Sequence, residues 1–450
     1  MSILSLKVVN FLDKYVIKII SIVFAFSLFS EISFCQNDSI IGKDDLIAFN
    51  SIKLGEQLES KSLDSIFNKV RFVFLGEANH GDGETILAKT SLIKILVSKY
   101  GFNLILIERS LYELSKVNSL IKNSNRRNSS ILINEALRNE EFLSNGLGEL
   151  GQFILTNKNS VDVGGVDVLS GSRLTDYLYK DLLNVGISKA LIKSYKQSLD
   201  KLIILGLCFD CPEDFDHLKF QTLSAKIIQK LDLKNKIGLK DYKTLLQTVQ
   251  NNLSLAIWVK LRPNRKFSQD RILFREVHRL RDKFMCQNLL WQIETMYPEK
   301  KVIISTSTAH MTPRIGEVPT MVDYLPDSIK NQSYFLPFIC YQGVRGFDTR
   351  IKLFDLEKIK TPEPNSIENL LHSKNIGYGL LNFSSLSQQQ INYLNNKSMS
   401  PSGLLPTNSV WSKIYSGIFF IDNMKPDVLK DLDLNEYNTL KISERDKDLN

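Results

Sequence analysis

Histidine and cysteine are scarce in this chain of 450 residues, with five of each. Cys208-Phe-Asp-Cys211 has the spacing of a zinc or redox pair, but no second ligand pair stands at a suitable distance, and His217 alone does not supply one. A redox motif would also follow a strand and open a helix, whereas Cys211-Pro-Glu-Asp214 reads as a loop ahead of a helix, so a local disulfide or two idle thiols is expected. No Gly-x-Ser-x-Gly elbow is present, which argues against a serine nucleophile. No phosphate loop or dinucleotide fingerprint occurs either, and no cofactor is implied. The net charge of +8 is spread thinly, without a Lys/Arg block interleaved with aromatics, so nucleic acid is not an expected partner. An anionic substrate or acidic surface stays compatible with that charge. Internal repeats and low-complexity tracts are absent, and nothing points to an oligomeric state.

Long apolar runs are scarce too. The run from Ile19 to Phe29 follows Lys7, Lys14 and Lys18 and precedes Ser30-Glu-Ile-Ser-Phe-Cys35-Gln36. That order predicts a signal peptide over residues 1–35, cleaved before Gln36, and an exported protein, periplasmic or secreted. The run is too short to span a bilayer comfortably, and no other segment approaches the ~20 apolar residues of a membrane helix. The alternative is a lipid anchor at Cys35, against which Phe34 counts because a small residue is expected there.

What the chain does have is core. Apolar residues make up 43% and charged residues 24%, ordinary values for a globular protein. Arg71-Phe-Val-Phe-Leu75, Asn103-Leu-Ile-Leu-Ile107 and Lys301-Val-Ile-Ile304 read as buried strands. The helical spacing from Glu84 to Tyr100, broken by Gly101, makes residues 71–107 a βαβ unit with parallel strands. Val161 to Ser170 resembles a further strand, with later candidates at Ser333–Tyr341, Gly377–Asn382 and Gly417–Asp422. Spacing from Asp44 to Asn68 suggests helices, and so does 110–123. Asn123 to Ser130 is a polar loop or lid candidate. Between 172 and 298 long amphipathic patterns, with N-cap candidates at Asp214 and Asp241, predict a helical insertion. The expected fold over 36–450 is therefore α/β, a mainly parallel central sheet flanked by helices, with the insertion covering the C-terminal strand edge.

Ligands in open α/β sheets bind outside the carboxyl ends of the strands. Here the first strand runs into Gly76-Glu77-Ala78-Asn79-His80, the second into Glu108-Arg109, and the last into a Ser/Thr turn ending at His310. A neutral imidazole accepts a proton near pH 7, and a carboxylate fixes its tautomer and stabilises its charged form. Glu77 and Glu108 supply such carboxylates. The competing reading makes His80 a helix cap and Glu77 the partner of a lysine or arginine. Two histidines with two carboxylates also have the composition of a metal site, so a metal-dependent hydrolase is kept as an alternative, with no metal ligand assigned. His278 reads as part of a solvated helix face, and His217 and His372 carry no signal.

Leu75-Gly-Glu-Ala-Asn-His-Gly-Asp-Gly-Glu84, Lys89 and Leu-Ile-Glu108 resemble the opening block of the erythromycin esterase family. Val163-Gly-Gly-Val-Asp167 is similar to its Gly-Phe-Asp segment. Arg281-Asp282-Lys-Phe-Met-Cys-Gln-Asn288 and the stretch to His310 resemble its Arg-Asp-x-x-Met-Ala-Glu-Asn block and its His-Asn-Ala-His turn. Tyr341-Gln-Gly343 and Gly417 to Asp422 fit its C-terminal part. The resemblance spans about residues 65–425 and implies metal-independent hydrolysis of a macrolide lactone or similar small-molecule ester. His80 would be the base that activates water, with Glu77, Glu108 and His310 beside it. Glu84, Lys89, Asp167, Arg281, Asp282 and Ser307 would support the site or bind substrate. Two positions depart from the pattern. Ser307 stands where the family has the first histidine of the turn, and Ser91 where a second basic residue follows the lysine. These departures motivate a second reading, a non-catalytic ligand-binding or envelope protein on the same fold.

Overall fold

The computed structural model describes residues 40–49, 51–52, 61–123, 126–138, 145–169, 174–207, 214–235, 240–261, 271–313, 318–347, 355–401 and 407–427. The expected signal segment with Cys35, the Cys208–Cys211 pair and the charged end from Lys441 lie outside them.

Among the described residues, nine strands form one sheet. In chain order these are β1 (Leu46–Phe49), β2 (Phe72–Glu77), β3 (Leu104–Ser110), β4 (Asp162–Asp167), β5 (Val302–Ser307), β6 (Ser333–Phe347), β7 (Asp355–Lys358), β8 (Tyr378–Asn382) and β11 (Gly417–Met424), while β9 (Ser398–Met399) and β10 (Thr407–Asn408) pair separately. The order across the sheet is β1-β8-β11-β6-β2-β5-β3-β4, with β7 beside β6. Neighbours from β11 to β4 are parallel, and β1, β8 and β7 add antiparallel pairs. The fold is thus mixed α/β with a mostly parallel sheet.

Parallel strands covered on both faces read as continuous apolar runs, and β2 shows why. Val73 and Leu75 enter one core with Leu92, Leu96, Ile105 and Phe419, and Phe72 and Phe74 enter the other with Met285, Leu289, Ile304 and Phe420. The first core is roofed by α1 (Lys61–Phe67), α2 (Gly83–Tyr100), α3 (Leu111–Asn123), α4 (Arg126–Arg138) and α5 (Asn145–Thr156).

Two local expectations are corrected. The stretch after Asp44 holds a strand rather than only helix, because Leu46 and Phe49 are buried when β1 pairs antiparallel with β8. The polar segment 123–130 runs into α4 instead of forming a lid throughout, since Ile133, Ala136 and Leu137 anchor that helix in the core.

Between β4 and β5 the described residues are helical: α6 (Leu174–Asn184), α7 (Lys189–Leu207), α8 (His217–Asn235), α9 (Lys240–Leu261) and α10 (Arg271–Trp291). Tyr195, Phe220, Leu231 and Val249 give this insertion a core of its own. Asp216, not Asp214, caps α8, its Oδ1 accepting from Lys219 N at 2.9 Å. Only α10 of the five carries site residues to the strand ends, where it packs on β4. No described helix is long and apolar enough to cross a membrane.

Candidate active site

Three parallel strands, β2, β5 and β3, stop at the same edge and deliver Glu77, Ser307 and Glu108 there. The register between β3 and β4 slips between Ile107 and Ser110, so Glu108 and Arg109 occupy a bulge. Bulges re-aim side chains at sheet rims. Gly76 lets the short helix α11 (Thr308–Met311) lie on β2, because a Cβ there would come within 2.4 Å of Met311 Sδ.

Glu77 is shared. Its Oε1 lies 3.1 Å from His80 Nδ1, and its Oε2 accepts from buried Lys89, whose ammonium also donates to Thr306 O at 3.3 Å. Burial raises the Glu77 pKa, but Lys89 and His80 outweigh it and hold the carboxyl below its usual range. His80 remains 37% exposed on its side chain, against 12% for Glu77, so the imidazole is the wet member of the pair. Burial works against its charged form, but the bond to Glu77 and the field of Glu108 prevail and raise its pKa above the usual 6.5. Both readings of this segment are therefore partly realised: Glu77 does pair with a lysine, and it also orients an imidazole.

A second chain of charges lies behind. His310 is buried, with Nδ1 2.6 Å from Asp282 Oδ1 and Nε2 3.1 Å from Glu108 Oε1. Burial opposes its protonation, yet the two carboxylates push its pKa up to about 10. At neutral pH it is an imidazolium donating from both nitrogens. Glu108 receives more: Arg281 Nη2 at 3.2 Å, Thr306 Oγ1 at 2.9 Å and Ser307 N at 2.8 Å. Despite burial, these cations and donors hold its pKa well below the carboxylate range. Arg281 forks onto Asp167, with Nε to Oδ1 at 3.1 Å and Nη2 to Oδ2 at 2.6 Å. Asp282 also accepts from Met321 N at 3.1 Å. Two roles emerge from one constellation: His80 faces solvent and can exchange a proton, while His310 is a fixed cation that positions Glu108.

The remaining residues named from sequence divide. Ser307 caps α11, its Oγ accepting from Ala309 N at 3.2 Å, so it builds the turn that carries His310. Glu84 is not drawn into the cluster; it accepts from Tyr378 Oη at 2.8 Å and pairs with Lys425 at 3.4 Å. His278 is half-buried rather than on a solvated face, and burial pushes it down to about 4. Sequence reasoning missed the clamp on the His80 loop. Gly81 O accepts from Gly346 N at 3.1 Å and from Asp427 N at 3.0 Å, and Asp82 pairs with Arg345. It also missed His372, whose ring stacks on Tyr341 at 3.7 Å with Nδ1 2.5 Å from Asp422.

The pocket at His80 measures about 50 Å³ and is lined by Glu77, Lys89, Glu108 and Arg109 against Ile86, Ile93 and Ile107. Among the described residues, no group of three or more His, Cys, Asp or Glu is disposed to hold a metal ion. The oxygens of Glu77 and Glu108 already accept from cations, hydroxyls and amides.

Fold and site together define an α/β protein with an imidazole–carboxylate centre on the C-terminal strand edge. The fold is erythromycin esterase-like. A histidine-to-asparagine variant of erythromycin esterase EreC, in its open conformation, superposes with a TM-score of 0.57 at 15% identity, over 86% of this chain and 100% of that one. A Bacillus cereus protein superposes at 0.69 with 15% identity, over 86% and 97%. A succinoglycan biosynthesis protein does so at 0.68 with 14% identity, over 88% and 98%. In sequence, YbfO of Bacillus subtilis, named as a hydrolase, is 21% identical over 346 residues, covering 69% of this chain and 73% of its own. The sequence matches no family profile.

Proposed function

We propose that the protein is a hydrolase of carboxylic esters or lactones, in which His80 draws a proton from the attacking water. The observation that carries this reading is the Glu77–His80 contact at 3.1 Å beneath a solvent-reached imidazole. The hydrolase and esterase names of its relatives support it. With Nδ1 turned to Glu77, Nε2 is the nitrogen that takes the proton, and Glu77 stabilises the imidazolium formed. The new C–O bond puts negative charge on the former carbonyl oxygen, for which Arg109 of the pocket lining is a positive counterpart. The imidazolium then returns its proton to the departing alkoxide. A macrolide ring exceeds a pocket of about 50 Å³, so a substrate of that size requires the crevice to widen.

The test is hydrolysis of an ester and lactone panel in ¹⁸O-water. The expected result is one heavy oxygen in the acid product. The rate should rise with pH through a midpoint above 6.5, because His80 must be neutral to act and its pKa is raised. Chelator-treated, metal-analysed protein distinguishes the metal-dependent alternative.

The serine at 307, in place of a histidine, favours the second reading, a ligand-binding protein without turnover. Thermal protection by a ligand, with no product from any ester, selects it.

A further inference from the structure

A cleft of about 400 Å³ lies away from His80, between α3 and the helical insertion. Its lining includes Asp162 at the start of β4, the end of the parallel sheet opposite Glu77 and Glu108. We propose that this cleft binds a neutral saccharide.

Three observations carry the inference. The first is size, within the range that takes small organic ligands, at a junction of two packed units where such sites concentrate. The second is aromatic surface. α10 widens into a π turn at Gln292–Met296, and the residues flanking that turn, Trp291 and Tyr297, both line the cleft. Trp258 and Trp411 are 5% and 1% exposed, buried as core tryptophans are, whereas Trp291 is half-buried and lines the cleft. The C–H face of a sugar ring packs on an aromatic face of this kind.

The third is charge. Lys116 donates to both oxygens of Asp181 at 2.7 Å, and Lys122 and Lys300 close on Asp162. The charged lining is two lysines and two aspartates, and each lysine is paired with one of the aspartates, so no lining charge is left without a counter-ion. The amide of Asn184 and the hydroxyls of Ser115 and Ser119 line the same wall. Hydroxyl groups donate and accept at once, and a ring bearing several of them matches such a wall without carrying charge.

The test is isothermal titration of the full chain with neutral glucose-, galactose- and N-acetylglucosamine-based di- to tetrasaccharides, with tryptophan emission recorded in parallel. At least one series should saturate, with a change in emission. Trp291→Ala should weaken that binding about tenfold or more, and Asn184→Ala, an exposed position, should weaken it with the fold intact. Trp291→Phe should bind with no emission change. His80→Gln should bind as the wild type does, which separates this site from the hydrolytic one. Absence of saturable binding across the panel would overturn the proposal. So would affinity unchanged in a folded Trp291→Ala, or displacement of the saccharide by sulfate or spermidine.

Discussion

Arg345 of β6 closes on Asp82 with Nε 3.2 Å from Oδ1, and both side chains are sealed from water. Asp82 precedes the first residue of α2 and lies two residues beyond His80, so this pair ties the His80 loop to a strand more than 250 positions away. Burial nonetheless pushes the Asp82 carboxyl up to about 6 against the pull of Arg345. Removing one member of a buried pair leaves an uncompensated charge, so Arg345→Met should destabilise the protein by about 3 kcal/mol or more. Adding Asp82→Asn should restore much of it. Denaturant melts of the two singles and the double measure this coupling.

His310 supplies a pH signature. Its native pKa of about 10 stands above its usual 6.5, so the native state binds its proton more tightly than the unfolded chain. The resulting stability is complete below pH 6.5 and is lost as pH rises toward 10. The slope should reach about 1.4 kcal/mol per pH unit. Unfolding free energies across that window should fall in the wild type, and His310→Gln should be less stable and lack the slope.

Glu77 should govern the titration of His80. Glu77→Gln removes the strongest influence raising that pKa, so the His80 NMR titration should move down toward 6.5. Buried Lys89 then loses its carboxylate, and a cost of about 3–5 kcal/mol is expected. Glu77→Gln/Lys89→Met should recover stability without recovering the His80 shift.

Gly81 should tolerate no side chain. A Cβ there would sit 1.9 Å from Gly346 O, and the obstacle is backbone that cannot rotate away. Gly81→Ala should cost about 1–3 kcal/mol or more and should disturb the His80 resonance as well as the melt.

Much of this was legible in the chain, for reasons that differ by residue. β2, β3 and β5 announce themselves because both faces are covered, which makes Phe72–Leu75, Leu104–Ile107 and Val302–Ile304 uniformly apolar. β1 stayed hidden because its four residues become a strand only by pairing with β8, over 300 positions later. Glu77 and His80 are near neighbours in sequence, so their pairing could be anticipated. The fixed charge on His310 could not, since it depends on Asp282 from α10 and Glu108 from β3 converging on one ring. Arg345 gave no signal at all, because nothing local distinguishes an arginine that will meet Asp82 from one that will meet water.

The most direct measurement compares kcat/KM of wild type and His80→Gln on one ester that the wild type cleaves, with matched melting temperatures. Loss of a general base predicts a fall of about 100-fold or more in the variant. Equal rates from two equally folded proteins would contradict the role given to His80.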